Sequence, residues 1–154
     1  MSDKFQQEVR NTLGVSVPGE IVEAAGTYYQ AKQMTVDDET LAFGLFARAG
    51  SEEPLCVGTG SGAPVGVIVR DRYLTGCEPG QKLPKGTKVT VAIFGVLAVA
   101  NTSGAEAKFL DDVWVDDTTG AIKFDSTGSV SGATKTHWKV KQGAPDGGIA
   151  FITR

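Results

Sequence analysis

Apolar and polar residues alternate with a period of two over much of this chain. Lys88-Val89-Thr90-Val91 alternates, and residues 113 to 115, 121 to 124, 136 to 140 and 149 to 153 form short runs of the same kind between turn signals. In a strand successive side chains point to opposite faces, so this pattern predicts short, half-buried β-strands. Three runs are more continuously apolar. Residues 41 to 47 contain Gly44, residues 65 to 69 end at Arg70-Asp71-Arg72, and the run from Ile93 to Val99 is interrupted by Gly95. These read as buried strands. Gly44 marks a bulge or close approach, and Gly95 marks either a hairpin or a sharp bend. Thr27-Tyr28-Tyr29 adds strand-favouring residues. Helical periodicity is sparse. Phe5, Val9 and Leu13 recur every four positions near the start, and Asp37, Asp38 and Glu39 suit the N-terminus of a turn or two of helix after Thr35.

Twenty glycines and six prolines, spread along the chain, supply turns between these strands. A Gly-, Ser- and Pro-rich loop is expected over residues 50 to 64. Pro18-Gly19 breaks whatever precedes it, which divides the chain into an arm, residues 1–17, and a body, residues 18–154. The arm is either a short helix with a thin apolar stripe or an extended strap, and its sequence leaves both open. The expected class is all-β: a small β-barrel or jelly-roll-like sandwich of roughly eight to ten strands, with an extended N-terminal arm.

At 154 residues the chain is long enough to bury a core without disulfides or metals. Hydrophobic residues make up 41%, charged residues 21%, and the net charge is −3. No basic stripe points to nucleic acid. The N-terminal residues lack a basic segment followed by an apolar run, so no signal peptide is expected, and no apolar stretch is long enough to span a bilayer. Synthesis in a reducing cytoplasm follows, with Cys56 and Cys77 as two reduced thiols. They are too far apart for a CxxC motif and too few for zinc.

The stretch DDVWVDDTTGAIKF, residues 111 to 124, carries four aspartates within seven positions. Alternation puts Asp112, Trp114 and Asp116 on one face of a strand and Val113 and Val115 on the other, the core face. Trp114 then separates the two carboxylates, which is poor geometry for a metal, and the spacing does not match a calcium loop. Asp116-Asp117-Thr118-Thr119-Gly120 instead has the chemistry of a turn. The acids are expected to keep an exposed hairpin edge soluble, and an outward Trp114 to need a partner, first of all a neighbouring subunit. GTGSGAPVG, residues 58 to 66, lacks the lysine of a phosphate loop and the spacing of a nucleophile elbow. His137 is the single histidine, and no catalytic constellation forms around it locally. Arg70 and Arg72 bracket Asp71 and suit either solvated strand-end charges or an ion pair at an interface.

Several segments, taken in order, resemble the structural cement (head decoration) proteins of tailed bacteriophages: FQQEV with VPGEIVEA, LAFGLFAR, GVIVRDRY, LPKGTKVTVAIFGVLAV, AKFLDDVWVDDTTGAI and TKTHWKVKQGAPDGGIAFIT. The resemblance implies a non-enzymatic virion protein with no cofactor. It would bind the major capsid protein on the capsid exterior at capsomer junctions, as a homodimer or homotrimer, and stabilise the mature head against internal DNA pressure. Candidate capsid or subunit contacts are Phe5, Val9, Leu13 and Val15 of the arm, with Arg70, Arg72 and Trp114. Two other classes remain. One is a β-barrel module binding carbohydrate or another ligand, which could use Trp114, Trp138, Tyr28, Tyr29 and Tyr73. The other is a hydrolase in which His137 and the aspartates meet only in the fold.

Overall fold

The computed structural model of the chain describes residues 17–22, 30–37, 41–50, 56–58, 62–70 and 81–154. They contain ten strands and no helix. Five strands close into a barrel in the order β1 (Gln30–Val36), β3 (Cys56–Gly58), β2 (Phe46–Ala49), β4 (Pro64–Ile68) and β5 (Lys88–Phe94). Only β1 and β3 run parallel; the other neighbours, including the closing pair β1 and β5, are antiparallel. The second sheet has the order β6 (Val96–Ala100), β10 (Ile149–Thr153), β9 (Ala133–Gln142), β7 (Asp112–Asp116) and β8 (Ile122–Asp125), antiparallel throughout. The all-β expectation holds.

Two cores follow from alternation on a shared wall. In β2, Phe46 joins the core of the second sheet and Ala47 the core of the barrel; in β4, Val67 and Ile68 divide the same way. These strands are buried on both faces, so they read as apolar runs rather than as alternating ones. The barrel core holds Met34, Val36, Leu41, Phe43, Leu83, Val89 and Val91. The sheet core is built on Leu97, Val113, Val115, Ile122, Trp138, Val140 and Ile152, and the Phe46 ring meets the Trp138 ring edge-on at 6.2 Å.

The run interrupted at Gly95 is a bend rather than a hairpin. β5 belongs to the barrel and β6 to the second sheet, and the chain passes between them through Gly95 at φ 127, a backbone angle that favours glycine. Residues 41 to 44 are buried and Leu45 half-buried, but none is strand; they form a turn before β2 and touch Lys82 through one bridge at Ala42. Gly44 there is a close approach: a Cβ would lie 2.4 Å from the Pro18 Cβ. The loop expected over residues 50 to 64 contributes β3 to the barrel and the first residue of β4. Thr35 lies in β1, which ends at Val36; the helical turn expected after it falls on residues 38 to 40, outside the described residues, as do Thr27-Tyr28-Tyr29 and residues 1 to 16.

Residues 17–22 strap the two halves together. Gly19 N–H donates to Ala98 O at 2.8 Å and Val22 N–H to Val96 O at 3.0 Å, while Gly19 O accepts from Arg70 N–H at 2.8 Å. The strap covers the free edge of β6, one of the ways proteins protect an unpaired strand.

Candidate functional site

The acidic stretch folds as alternation demands, with one correction. Val113 and Val115 are fully buried in the sheet core, and Asp116 to Gly120 form the turn between β7 and β8. Asp116 Oδ1 accepts from the backbone N–H groups of Thr118 and Thr119, both at 3.0 Å, and from both hydroxyls. β7 is not an exposed edge, however. It lies between β9 and β8, so its acids do not guard an unpaired strand. Hairpin pairing to β8 was legible locally; the second partner, β9, arrives some twenty residues later and left no local mark.

Each of the four aspartates is committed within the chain. Asp111 Oδ2 accepts from Lys108 N–H at 2.8 Å. Asp112 is bridged by two lysines of β9, Lys135 at 2.6 Å and Lys139. Asp116 pairs with Lys123 at 2.8 Å. Asp117 Oδ1 accepts from Arg48 at 2.5 Å and from the Thr134 hydroxyl at 2.6 Å. The hydrogen bond from Lys135, then that from Lys139, holds the Asp112 carboxyl below the usual carboxylate range, against the opposing effect of burial. Lys123 and the Thr118 hydroxyl do the same for Asp116, more strongly. Among the described residues no group of three or more His, Cys, Asp or Glu is placed to hold a metal.

Trp114 does point to the outer face of the sheet, yet it is only 7% exposed. Lys135, its cross-strand neighbour, sits with Nζ 5.7 Å from the ring centroid, and the indole N–H donates to Asp125 O at 3.4 Å. The chain therefore covers this indole itself, with a lysine stem as lid and a cation over the ring face. No second subunit is needed to bury it. Trp138 is buried in the sheet core. His137 is exposed on β9, in the alternate row with Lys135 and Lys139. Arg70 is half-buried at the strap. Phe5, Val9, Leu13, Val15 and Arg72 lie outside the described residues.

Arg48 was missed by the sequence reading. Two positions after Phe46, it shares that residue's face and is 2% exposed at the joint between barrel and sheet. Its guanidinium donates to Gly62 O at 2.7 Å, to Val115 O at 3.1 Å and to Asp117. With Phe46 N–H donating to Gly120 O at 3.0 Å, it clamps the acidic turn onto the barrel. The one available signal was a charged residue at an alternate position in the otherwise apolar LFARA segment.

Beside this joint lies an open cleft of about 250 Å³. Pro18 and the turn of residues 42–45 form one side, Ala121 and Ile122 another, with Ala100, Thr102 and Lys82 completing it. Apart from Lys82 and Thr102 its lining side chains are apolar, and none is an acid, a histidine or a cysteine.

Comparison with known proteins gives a consistent picture. Residues 5–154 match the family described as structural cement protein (E217 gp24/Pam3 gp6). A chain in the solved structure "The capsid of Myoviridae Phage XM1" superposes with a TM-score of 0.68 at 15% identity, covering 97% of this chain and 96% of that one, which establishes a shared fold. A chain from "The crystal structure of head fiber gp8.5 N base in bacteriophage phi29" aligns at a TM-score of 0.48 and 14% identity, over 82% and 93% of the two chains, too distant to carry weight. No curated protein matches the sequence.

Proposed function

The chain belongs to the phage structural cement protein family, and from that premise we propose that it binds the outer surface of the capsid at junctions between capsomers and stabilises the mature head against the pressure of packaged DNA. Family membership makes it a structural protein of the virion, associated with the capsid, and implies a non-enzymatic role. The observation that carries the reading further is the reach of the match. It begins at residue 5 and so takes in Phe5, Val9, Leu13 and Val15 of the arm together with the whole β body.

The mechanism is mechanical. Outward pressure opens seams between capsomers, and a protein bound across a seam adds buried area that must be lost before the seam parts. A specific interface of standard size buries ~1,600 Å² in total. A body of this size reaches that figure more easily when the arm adds its apolar side chains. On this reading the arm residues contact the major capsid protein or a neighbouring copy, and Arg70 and Arg72 lie at the contact. A homodimer or homotrimer would hold several weak contacts at once, which multiplies their effect. The chain would be made in the host cytoplasm and act on the capsid exterior. A carbohydrate-binding role loses two of its aromatic candidates, because Trp114 and Trp138 are buried in their own chain.

Binding to expanded capsids that lack the protein, followed by co-sedimentation, tests the proposal. The expected result is saturable decoration, with much weaker binding after deletion of residues 1–15 while the body stays folded. Absence of decoration by the full chain would sink it, and an activity abolished by His137→Ala would reopen the enzyme reading.

A further inference from the structure

The strap of residues 17–22 lies along β6 as an antiparallel partner. Ile21 bridges to Leu97, Gly19 N–H donates to Ala98 O at 2.8 Å, Ala98 N–H to Glu20 O at 2.9 Å and Val22 N–H to Val96 O at 3.0 Å. β10 runs antiparallel to the other edge of β6, pairing Ile149 with Ala100 and Thr153 with Val96. The strap and β10 therefore run parallel to each other on either side of one central strand. That order separates the points where the chain enters and leaves. Val17 lies toward the Ala100 end of β6, two residues before the bond from Gly19 to Ala98, whereas Thr153 leaves beside Val96. At that second end Arg154 N–H donates to Gly95 O at 3.3 Å, where β5 of the barrel joins β6.

This layout decides how the molecule takes a pull. The hydrogen bonds of an antiparallel pair lie across the strands. Tension drawing Val17 and Thr153 apart runs along the strands, so the three strap bonds are sheared together. A pull that lifted the strap from one end would break them one by one. The strap is fastened on its other side as well: Gly19 O accepts from Arg70 N–H at 2.8 Å, and Ile21 packs against the sheet core. Gly19 is wedged so closely that a Cβ there would lie 2.8 Å from Ile68 O and 2.9 Å from Gly44 N. β1 is the next strand in the chain and pairs with both β3 and β5 to close the barrel. A strap that yields would pass tension straight to that closure.

We propose that residues 17–22, β6 and β10 form a shear clamp, which holds tension entering through residues 1–16 and keeps it from β1. An arm fixed to one capsomer and a body fixed to another are pulled in opposite directions as a seam opens, and the clamp lets one chain withstand that pull. Its use in the virion rests on the proposed function; its mechanics rest on the strand register alone.

Single-molecule pulling on the full chain tests the clamp in two geometries. In the first, the handles sit at the N- and C-termini. In the second, the C-terminal handle moves to a clickable amino acid at position 146. Asp146 is exposed in the turn before β10, where Gly147 N–H donates to Asn101 O and Asn101 N–H to Gly148 O, both at 2.9 Å. That turn lies at the Val17 end of β6, so the second pull peels the strap. With three bonds sharing the load in place of one, rupture force should be roughly three-fold higher in the first geometry. Gly19→Val, checked for folding by circular dichroism, should bring the first force down toward the second. Val22→Pro removes one of the three donors and should lower it by roughly a third. Equal wild-type forces in the two geometries would overturn the clamp, as would a folded variant of either kind that ruptures at the wild-type force. The wild-type comparison decides the matter where a variant does not fold. Every force is read on the isolated chain, so a failed clamp leaves capsid decoration standing, and failed decoration leaves the clamp standing.

Discussion

The acidic turn and the loop that precedes it lie next to each other in the chain and solve opposite problems. From Asp111 to Asp117 the sequence is rich in charge, yet each carboxylate is bonded inside the molecule: to Lys108, to Lys135 and Lys139, to Lys123, and to Arg48. At Phe109-Leu110 the sequence is apolar, yet both side chains face water. Charge here serves internal construction, and the apolar pair is what the molecule offers outward. Burial decides between these roles, and burial is set by partners distant in sequence.

That contrast is open to attack, from the largest expected effect downward. Arg48→Ala removes the clamp and strands Val115 O at a buried joint, so it should cost about 2–4 kcal/mol of unfolding free energy in urea titrations. A loss under ~0.5 kcal/mol, the level of an ordinary surface change, would show that the clamp is incidental. Acid is next. Asp112, Asp116 and Asp125 all have carboxyls lowered by hydrogen bonding, from Lys135, Lys123 and Thr127 respectively. The unfolded chain binds more protons than the folded one as pH falls, so this stabilisation is present above the unfolded value of about 3.9 and is lost below it. Thermal unfolding should therefore be flat from neutral to mildly acidic pH and drop as pH goes below about 4. A decline centred near pH 6 would point to other groups. Asp112→Asn should cost about 1 kcal/mol, because its partners Lys135 and Lys139 stay half in solvent at 48% and 50% exposure. Leu110→Gly should act in the opposite direction, relieving the positive φ of 70 at this residue and raising Tm by about 2–4 °C. If it lowers Tm, the leucine is packing against its own chain after all. Phe109→Ser should leave stability within ~0.5 kcal/mol.

Much of the body was legible because strand alternation is local. Val113 and Val115 occupy the core face that period two assigns them, and the Asp116-Thr118-Thr119 bonding follows from turn chemistry two and three residues apart. What escaped was non-local. Gly95 looked equally like a hairpin or a bend, because nothing nearby says that β5 and β6 belong to different sheets. Trp114 was placed on the outer face correctly, but its cover comes from Lys135 on another strand. Arg48 gained its role from Val115 and Asp117, more than sixty positions away. The cleft gathers Pro18, the turn at residues 42–45, Ala100 and Ile122, segments that no single window of sequence joins.

The central claim concerns the virion, and heat tests it most directly. Heads lacking the protein are disrupted in a temperature ramp with and without saturating amounts of the purified chain, with DNA release as the readout. The account predicts a higher disruption temperature with the protein present, and a smaller rise when residues 1–15 are deleted. Identical disruption temperatures for bare heads and heads carrying the bound full-length chain would contradict it.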